Sequence, residues 1–266
     1  METLQFSVED NVGWIRLARP KQHNPVDAIF REEMIQVLEN IRSDLSIRAV
    51  VLAGSDGAFC AGGNLHHLKA AAGEGPFYWQ QRVQNGLRMI SDLIHLNRPL
   101  IAAVDGPAFG AGFALALTAD MIIASPRARF SMAYLKLGLM PDLGAIYMLP
   151  RTVGLQRAKE LILSTREVDV EEAHRLGIVM EIHSSEQIEA RAREIAMNMT
   201  NASPIAIAQT KAGLNASLDS DQRTMFSLEA CSQPAAFAAP EPIAAIDCQL
   251  NRQPTPYRWV PASSKT

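Results

Sequence analysis

Two glycine-bearing turns of this chain could together hold a negatively charged oxygen. Gly110, Ala111 and Gly112 separate the apolar runs 100–104 and 113–118, and a second turn, residues 59–65, follows the apolar run 49–53. Glycine lets a ligand approach the backbone closely, and the first turn of a helix presents N–H groups without internal partners. The helix dipole adds partial positive charge there. One N–H group from each turn would stabilise a single developing oxyanion.

Short strands and amphipathic helices must position these turns. Apolar runs predict strands at residues 4–10, 12–17, 49–53, 100–104, 121–124 and 129–131. Asp27 predicts the N-cap of a helix whose buried face carries Phe30, Met34, Val37, Leu38, Ile41 and Leu45. A second helix is predicted from a stripe of core residues, Val83, Leu87, Ile90 and Ile94. Strands that alternate with helices favour a mostly parallel sheet with helical cover.

The pattern after Pro150 is helical. Helices are predicted at residues 155–163, 170–176, 185–199, 204–214 and 221–237, and from Pro240 to about Leu250. We therefore expect a core over residues 1–200 that carries the site, and a helical extension over residues 201–266. The extension would cap the site, form an interface, or do both.

Composition narrows the class of protein. The chain has 266 residues, of which 48% are hydrophobic, enough for one substantial core, and its net charge is −3. The absence of a basic block argues against nucleic-acid binding, and no apolar run reaches membrane-spanning length. Three widely spaced cysteines argue against both a disulfide framework and a zinc site. We expect a soluble, cytoplasmic protein with no bound metal.

The order and spacing of six motifs resemble the enoyl-CoA hydratase/isomerase (crotonase) family, from about Leu4 to Arg252. These motifs occupy residues 58–65, 98–106, 110–112, 119–120, 137–142 and 149–154. The resemblance implies an α/β fold of the ClpP/crotonase type, a repeated β-β-α spiral with a helical C-terminal region. It also implies a homotrimer or a dimer of trimers.

The same resemblance implies an acyl-CoA thioester as the substrate and an enolate held at the thioester oxygen. The two backbone donors of the family fall on Gly63 and Ala111, with Ala61, Gly62, Gly110 and Gly112 in the turns that bind the substrate. No separate cofactor is implied, because coenzyme A enters as part of the thioester.

The chain departs from the hydratases of that family at both of their catalytic glutamates. Ala114 stands three residues after Ala111, and Tyr134 stands twenty residues later, where the hydratases carry these two acids. Addition of water needs a base for the water and an acid for the carbon. Alanine cannot serve, and tyrosine serves poorly near neutral pH.

Asp142 stands where isomerase-type members of the family carry an acid. Its neighbours Leu139, Met140, Pro141 and Leu143 are apolar, and burial among them would raise its pKa. We therefore hypothesise that Asp142 alone moves a proton between two carbons, as in Δ3-to-Δ2 enoyl-CoA isomerisation. Thioester hydrolysis and weak hydratase activity are the nearest alternatives. Alternatively, Asp142 is only the N-cap of a helix that follows it.

Several side chains near the turns carry two interpretations each. Tyr134 either lines the pocket or is a core aromatic, and Cys60 is either a buried small residue or a nucleophile with His66 or His67 as its base. His66 contacts substrate or lies on a solvated face. Arg19 and Lys21 lie in the loop where this family meets the CoA phosphates, although a surface charge pair explains them as well.

Functions from other classes remain as rivals. The turn at residues 110–115 has the first two glycines of a dinucleotide-binding motif, but Leu115 replaces the third. The segment at residues 53–57 approaches a serine-hydrolase elbow around Ser55, but Ala53 replaces its first glycine. A non-catalytic acyl-CoA binder is the third rival, because both hydratase glutamates are missing.

Overall fold

A six-stranded sheet lies at the centre of the computed structural model, which describes residues 1–261. The strands across the sheet are, in order, β1 (Leu4–Glu9), β2 (Val12–Leu17), β3 (Ala49–Ala53), β4 (Leu100–Val104), β6 (Met121–Ala124) and β9 (Glu181–Ile182). Only the β1–β2 pair is antiparallel. Every residue of β3 and β4 is buried, as expected for parallel strands with both faces covered.

A second, three-stranded sheet lies beside the first. It consists of β5 (Pro107–Phe109), β7 (Arg129–Ser131) and β8 (Val168–Asp169), in the order β5-β7-β8. Strands β4 and β6 of the large sheet are each followed directly by a strand of the small sheet and then by a helix, α4 (Ala111–Ala116) or α5 (Ala145–Val153). The repeat of two strands and one helix confirms the predicted α/β spiral.

Helices α1 (Ala28–Ser43), α2 (Leu65–Ala70) and α3 (Pro76–Ile94) follow the first strands. Asp27 caps α1 by accepting a hydrogen bond from the Phe30 N–H, as predicted, and the apolar face from Phe30 to Ile41 is buried. The prediction was wrong for Leu45, which lies beyond the end of α1 and is exposed. It was also wrong for Leu87, an exposed residue of α3, because α3 buries Gly86, Met89, Ile90 and Leu93 instead.

The rest of the chain is almost entirely helical. Its helices are α6 (Leu155–Ser164), α7 (Val170–Arg175), α8 (Ile188–Thr200), α9 (Pro204–Ser217), α10 (Gln222–Phe237) and α11 (Glu241–Leu250). Helix α8 covers one face of the large sheet and buries Ile188, Ala192, Ile195 and Ala196 there.

Helices α9 to α11 fall within the predicted extension, residues 201–266, whose last five residues lie outside the described part of the chain. In the single chain these helices bury none of their residues. Polar contacts connect them to the core: the Lys211 ammonium lies 2.7 Å from an Asp120 carboxylate oxygen, and the Asn215 side chain donates to the Ile94 carbonyl. The division at residue 200 stays a prediction.

Within residues 1–261, no helix combines the length and the apolar character that crossing a membrane requires.

Candidate active site

The two glycine-bearing turns are in direct contact. Main-chain hydrogen bonds pair Cys60 with the strand before α4, from the Cys60 N–H to Pro107 and from the Phe109 N–H to the Cys60 carbonyl, at 3.0 Å each. A side chain at Gly62, whose φ is +109°, would come within 2.8 Å of the Phe109 carbonyl oxygen and 3.7 Å of the Ala111 nitrogen. A side chain at Gly112 would overlap the Cys60 carbonyl. The backbones can approach this closely because glycine stands at both positions.

The amides at Gly63 and Ala111 are available to a ligand. Among the described residues neither donates a hydrogen bond, whereas the neighbouring N–H groups of Ala61 and Gly110 donate to His23 and Ser131. Ala111 is the first residue of α4, so its N–H group has no partner within the helix. The structure therefore brings together the two turns that the sequence singled out, whereas the binding of one oxyanion by their unused donors stays a prediction.

A buried network around Asp27 fixes the first turn. The Asp27 carboxylate accepts from the Arg19 guanidinium at 2.8 Å and from the Asn64 side chain at 3.4 Å. Burial would raise the pKa of Asp27, but hydrogen bonds from Arg19 and the Phe30 N–H hold it below its ordinary value. The Asn24 side chain donates to the Ala58 and Phe59 carbonyls, at 2.8 and 2.9 Å.

Sequence reasoning missed Asn24 and Asn64. Asn24 adopts a φ of +51°, which asparagine tolerates better than most residues, and Asn64 caps α2 by accepting from the His67 N–H. The available signals were an Asn in a loop beside Pro25 and an Asn directly before a short segment of helical character.

The basic residues near the turns differ in their availability. Arg19 donates to Asp27 and to the Pro25 carbonyl, so its guanidinium is directed at α1 rather than held free for a phosphate. Lys21 is exposed in a short 3-10 turn, Pro20–Gln22, and joins no ion pair among residues 1–261. His66 is exposed, and it is His67 whose Nδ1 lies 3.8 Å from the Asp27 carboxylate.

Tyr134 and Asp142 contact each other beside the second turn. The ring of Tyr134, which is 8% exposed, lies 3.9 Å from the position that a side chain at Gly110 would take. Its hydroxyl donates to the Asp142 carbonyl oxygen at 3.4 Å, and its proximity to the Asp142 side chain lowers the pKa of that carboxylate. Tyr134 therefore connects Asp142 to the turn that contains Ala111.

Burial raises the pKa of Asp142 above its usual value, against the Tyr134 hydrogen bond and the charges of Arg82 and Arg31, which lower it. Burial and the neighbouring Asp142 carboxylate raise the pKa of Tyr134 well above its usual value. Tyr134 is therefore a neutral hydrogen-bond donor at physiological pH, and Asp142 is the group of this pair that can exchange a proton.

Several alternative interpretations are wrong. The Asp142 side chain caps no helix, because α5 begins at Ala145 and its N-cap is Gly144. Burial raises the pKa of the Cys60 thiol to about 12, so Cys60 is no nucleophile near neutral pH. The Ser55 hydroxyl donates to the Leu17 carbonyl and cannot act as an exposed nucleophile.

Of the apolar neighbours of Asp142, Pro141 and Leu143 are buried, whereas Leu139 and Met140 are exposed.

Leu143 fixes the segment that carries Asp142. It is buried and has a φ of +50°, a conformation that costs energy for a bulky side chain. Its Cδ2 atom packs against the backbone of Gly86 on α3. A side chain at residue 86 would overlap this atom. A glycine inside a helix is less favourable than alanine by about 1 kcal/mol. Gly86 lowers the stability of α3 by this amount and leaves the space that Leu143 occupies.

A cleft of about 1200 Å³ lies between the core and the C-terminal helices. Its lining includes Leu87, Ile90 and Tyr147 from the core and Ile207 and Leu214 from α9. It reaches Gly144, two residues after Asp142, but among its described lining residues are neither of the two available amides nor Asp142 itself. The cleft is therefore adjacent to the candidate site and distinct from it.

Comparison with known proteins gave consistent matches. The sequence pattern of the family described as enoyl-CoA hydratase/isomerase matches residues 7–241. The chain is 37% identical to carnitinyl-CoA dehydratases from Citrobacter koseri and Proteus mirabilis, over 79% of each chain. A solved enoyl-CoA hydratase/isomerase from Cupriavidus metallidurans is 62% identical, with a TM-score of 0.96 over 99% of both chains. A solved enoyl-CoA hydratase from a Polaromonas species is 28% identical, with a TM-score of 0.90 over 96% of this chain and 99% of that one.

The contact between Gly86 and Leu143 predicts the outcome of a glycine-to-alanine pair. Gly86→Ala would displace Leu143, whereas Gly213→Ala, in the interior of α9, would place its Cβ 3.5 Å from Leu228, an ordinary contact. We expect Gly86→Ala to be less stable than Gly213→Ala by about 1–3 kcal/mol in chemical unfolding. Adding Leu143→Ala should remove the penalty specific to residue 86. Equal stability of the two single variants would contradict this packing.

Proposed function

Because the chain belongs to the enoyl-CoA hydratase/isomerase family, we propose that this acyl-CoA enzyme moves a double bond within an enoyl-CoA thioester. The thioester oxygen accepts hydrogen bonds from the N–H groups of Gly63 and Ala111. The Asp142 carboxylate takes a proton from the carbon next to the thioester and returns it two carbons further along the chain. A β,γ-enoyl-CoA thereby becomes an α,β-enoyl-CoA, with no gain or loss of atoms.

Each group has one task in this mechanism. The two amides stabilise the dienolate, and each such donor contributes roughly 3 kcal/mol to the transition state. The raised pKa of Asp142 brings its proton affinity closer to that of a useful base at neutral pH. Tyr134 orients the carboxylate through its hydroxyl.

The observation that carries the proposal is the placement of a single acid. Ala114 is buried in α4, and Tyr134 is a neutral hydrogen-bond donor, so neither position of the hydratase glutamates supplies an acid. Asp27, beside the first turn, is paired with Arg19, so Asp142, next to the second turn, is the acid that remains among the site residues described above. One carboxylate suffices for a proton shift, because the group that accepts the proton from one carbon can return it to the other, whereas addition of water needs a base for the water and an acid for the carbon.

A hydration or dehydration reaction is the second candidate, because relatives 37% identical to the chain are named carnitinyl-CoA dehydratase. In that case Asp142 would serve in both proton transfers, one at the oxygen of the water and one at the carbon next to the thioester. Thioester hydrolysis and binding without turnover are further outcomes that the same assay separates.

Lys21 is our candidate for the CoA phosphates. It is exposed on the loop before α1 and pairs with no acid among the described residues, whereas Arg19 is occupied by Asp27. Ala61, Gly62, Gly110 and Gly112 would line the thioester through their backbones. His66, which is exposed at the start of α2, remains a candidate for substrate contact.

We also propose that the chain forms homotrimers, or dimers of trimers. Helices α9 to α11 bury no residue in the single chain and expose large apolar side chains such as Leu214, Phe226 and Leu250. An apolar surface of this kind is typical of a protein interface. Analytical ultracentrifugation should give the mass of three or six chains, and a monomer at micromolar concentration would contradict the proposal.

Removal of the Asp142 carboxylate tests the reaction. With 3-hexenoyl-CoA as substrate, we expect the native protein to form 2-hexenoyl-CoA, and Asp142→Asn to lower turnover by roughly 10²–10⁴-fold. Asp247→Asn, on the exposed surface of α11, is the matched control and should retain full turnover. Products should be identified by mass spectrometry and NMR. A hydroxyacyl-CoA or free CoA as the main product would replace isomerisation with hydration or hydrolysis.

The hydrogen bond from Tyr134 predicts a shift in the pH dependence. Catalysis needs the Asp142 carboxylate, so kcat/KM should rise as pH increases through the pKa of Asp142, which lies above the usual aspartate value. Tyr134→Phe removes an interaction that lowers this pKa. The acidic limb should therefore move to higher pH. Tyr147→Phe, whose hydroxyl hydrogen-bonds to Asp219 instead, should leave the limb in place. An unchanged limb in Tyr134→Phe would remove Tyr134 from the mechanism.

A further inference from the structure

Arg31 and Arg82 are partly buried but have no hydrogen-bonding partner. Within residues 1–261 neither guanidinium donates a hydrogen bond or joins an ion pair, and both side chains are half-buried. Every other described arginine that is not exposed donates a side-chain hydrogen bond, as Arg19 does to Asp27 and Arg166 to Glu172. A partly buried charge without a partner is costly, so an anionic ligand would stabilise this pair of arginines.

The two arginines converge on the segment that carries Asp142. Arg31, on α1, has its Cδ atom 3.8 Å from the position that a side chain at Gly86 would take. Arg82 lies one turn before Gly86 on α3, and its guanidinium carbon is 5.6 Å from the centre of the Trp79 ring. Leu143, directly after Asp142, packs on the same glycine. Helix α1, helix α3 and the segment that contains Leu143 therefore meet at Gly86, which places both arginines near the candidate acid.

The local charges leave this region positive. Burial, and then the nearby charge of Arg82, holds the pKa of Arg31 below its usual value. The acidic groups whose charges reach Arg31 are Asp27, which is paired with Arg19, and the exposed side chains of Glu32 and Tyr78. The charges of both arginines lower the pKa of Asp142, although Asp142 forms an ion pair with neither of them. When Asp142 takes up a proton during the proposed reaction, its compensating charge disappears as well.

We propose that Arg31 and Arg82 bind a carboxylate on the acyl group, so that the substrate is the mono-CoA thioester of a dicarboxylic acid. Guanidinium groups match carboxylates in shape and donate two parallel hydrogen bonds to them. The inference rests on the proposed function, which places the acyl carbons against Asp142. The CoA phosphates are the other source of anions, but the exposed Lys21 before α1 is their candidate partner.

Binding of unreactive acyl-CoA thioesters tests the proposal without any turnover. We would titrate the intact protein with hexanoyl-CoA and adipoyl-CoA, and with the shorter pair pentanoyl-CoA and glutaryl-CoA, by calorimetry. The members of each pair have the same carbon number and differ in the terminal carboxylate. In at least one pair the carboxylated member should bind at least about tenfold more tightly, and added salt should reduce this ratio.

Arginine variants locate the carboxylate. Arg82→Gln and Arg31→Gln should each reduce the ratio of dissociation constants to about twofold or less. Arg88→Gln, on an exposed position of the same helix, should leave the ratio unchanged. Thermal unfolding verifies that each variant folds. If Arg31→Gln does not fold, the result for Arg82→Gln alone decides the test.

Three results would overturn the inference while leaving the proposed function intact. They are equal affinity within both pairs, a preference that survives in both arginine variants, and an equal loss of affinity for free CoA and adipoyl-CoA in Arg82→Gln. The last result would assign the arginines to the CoA phosphates. If no acyl-CoA binds to the native protein at all, the proposed function fails, and this inference fails with it.

Discussion

The candidate site depends on close main-chain contact between two turns that are about fifty residues apart in sequence. Hydrogen bonds between residue 60 and the strand at residues 107–109 hold the turns together, and glycines at 62 and 112 allow the approach, because a side chain at either would collide with the opposing carbonyl. The large sheet makes this contact possible, since β3 and β4 are adjacent and parallel and deliver both turns to the same edge. Asn24 and the Asp27 network then fix the outer side of the first turn.

Asp142 is held by a different part of the fold, where two opposing influences act on its pKa. Burial favours its neutral form, whereas the Tyr134 hydroxyl and two arginines favour its carboxylate. A group in such a balance can both accept and release a proton, which a proton shift requires. Leu143, which packs on Gly86, and the Tyr134 hydroxyl, which donates to the Asp142 carbonyl, both hold the segment that carries the acid.

Much of this arrangement could be predicted from the sequence. The strands at 49–53 and 100–104 were apolar runs with clear ends, and the glycine turns after them indicated a site. Side-chain exposure within loops was harder to predict, since Leu139 and Met140 are apolar in sequence yet lie on the surface. Asn24, Asn64 and Gly86 were missed for a related reason. Each acts through partners distant in the chain, and no local pattern reports a contact between α3 and the segment before α5.

The two available donors at positions 63 and 111 belong to the peptide backbone, which every amino acid shares. Their chemistry therefore survives nearly any exchange of side chains around them, provided that the glycines keep the turns in contact. If these donors bind the anion as proposed, acids can be lost from one wall of the pocket and gained on another without moving the anion. A scaffold of this kind separates the stabilisation of charge from the choice of reaction, so that new specificities can arise by changing only the residues that carry protons or recognise the acyl group.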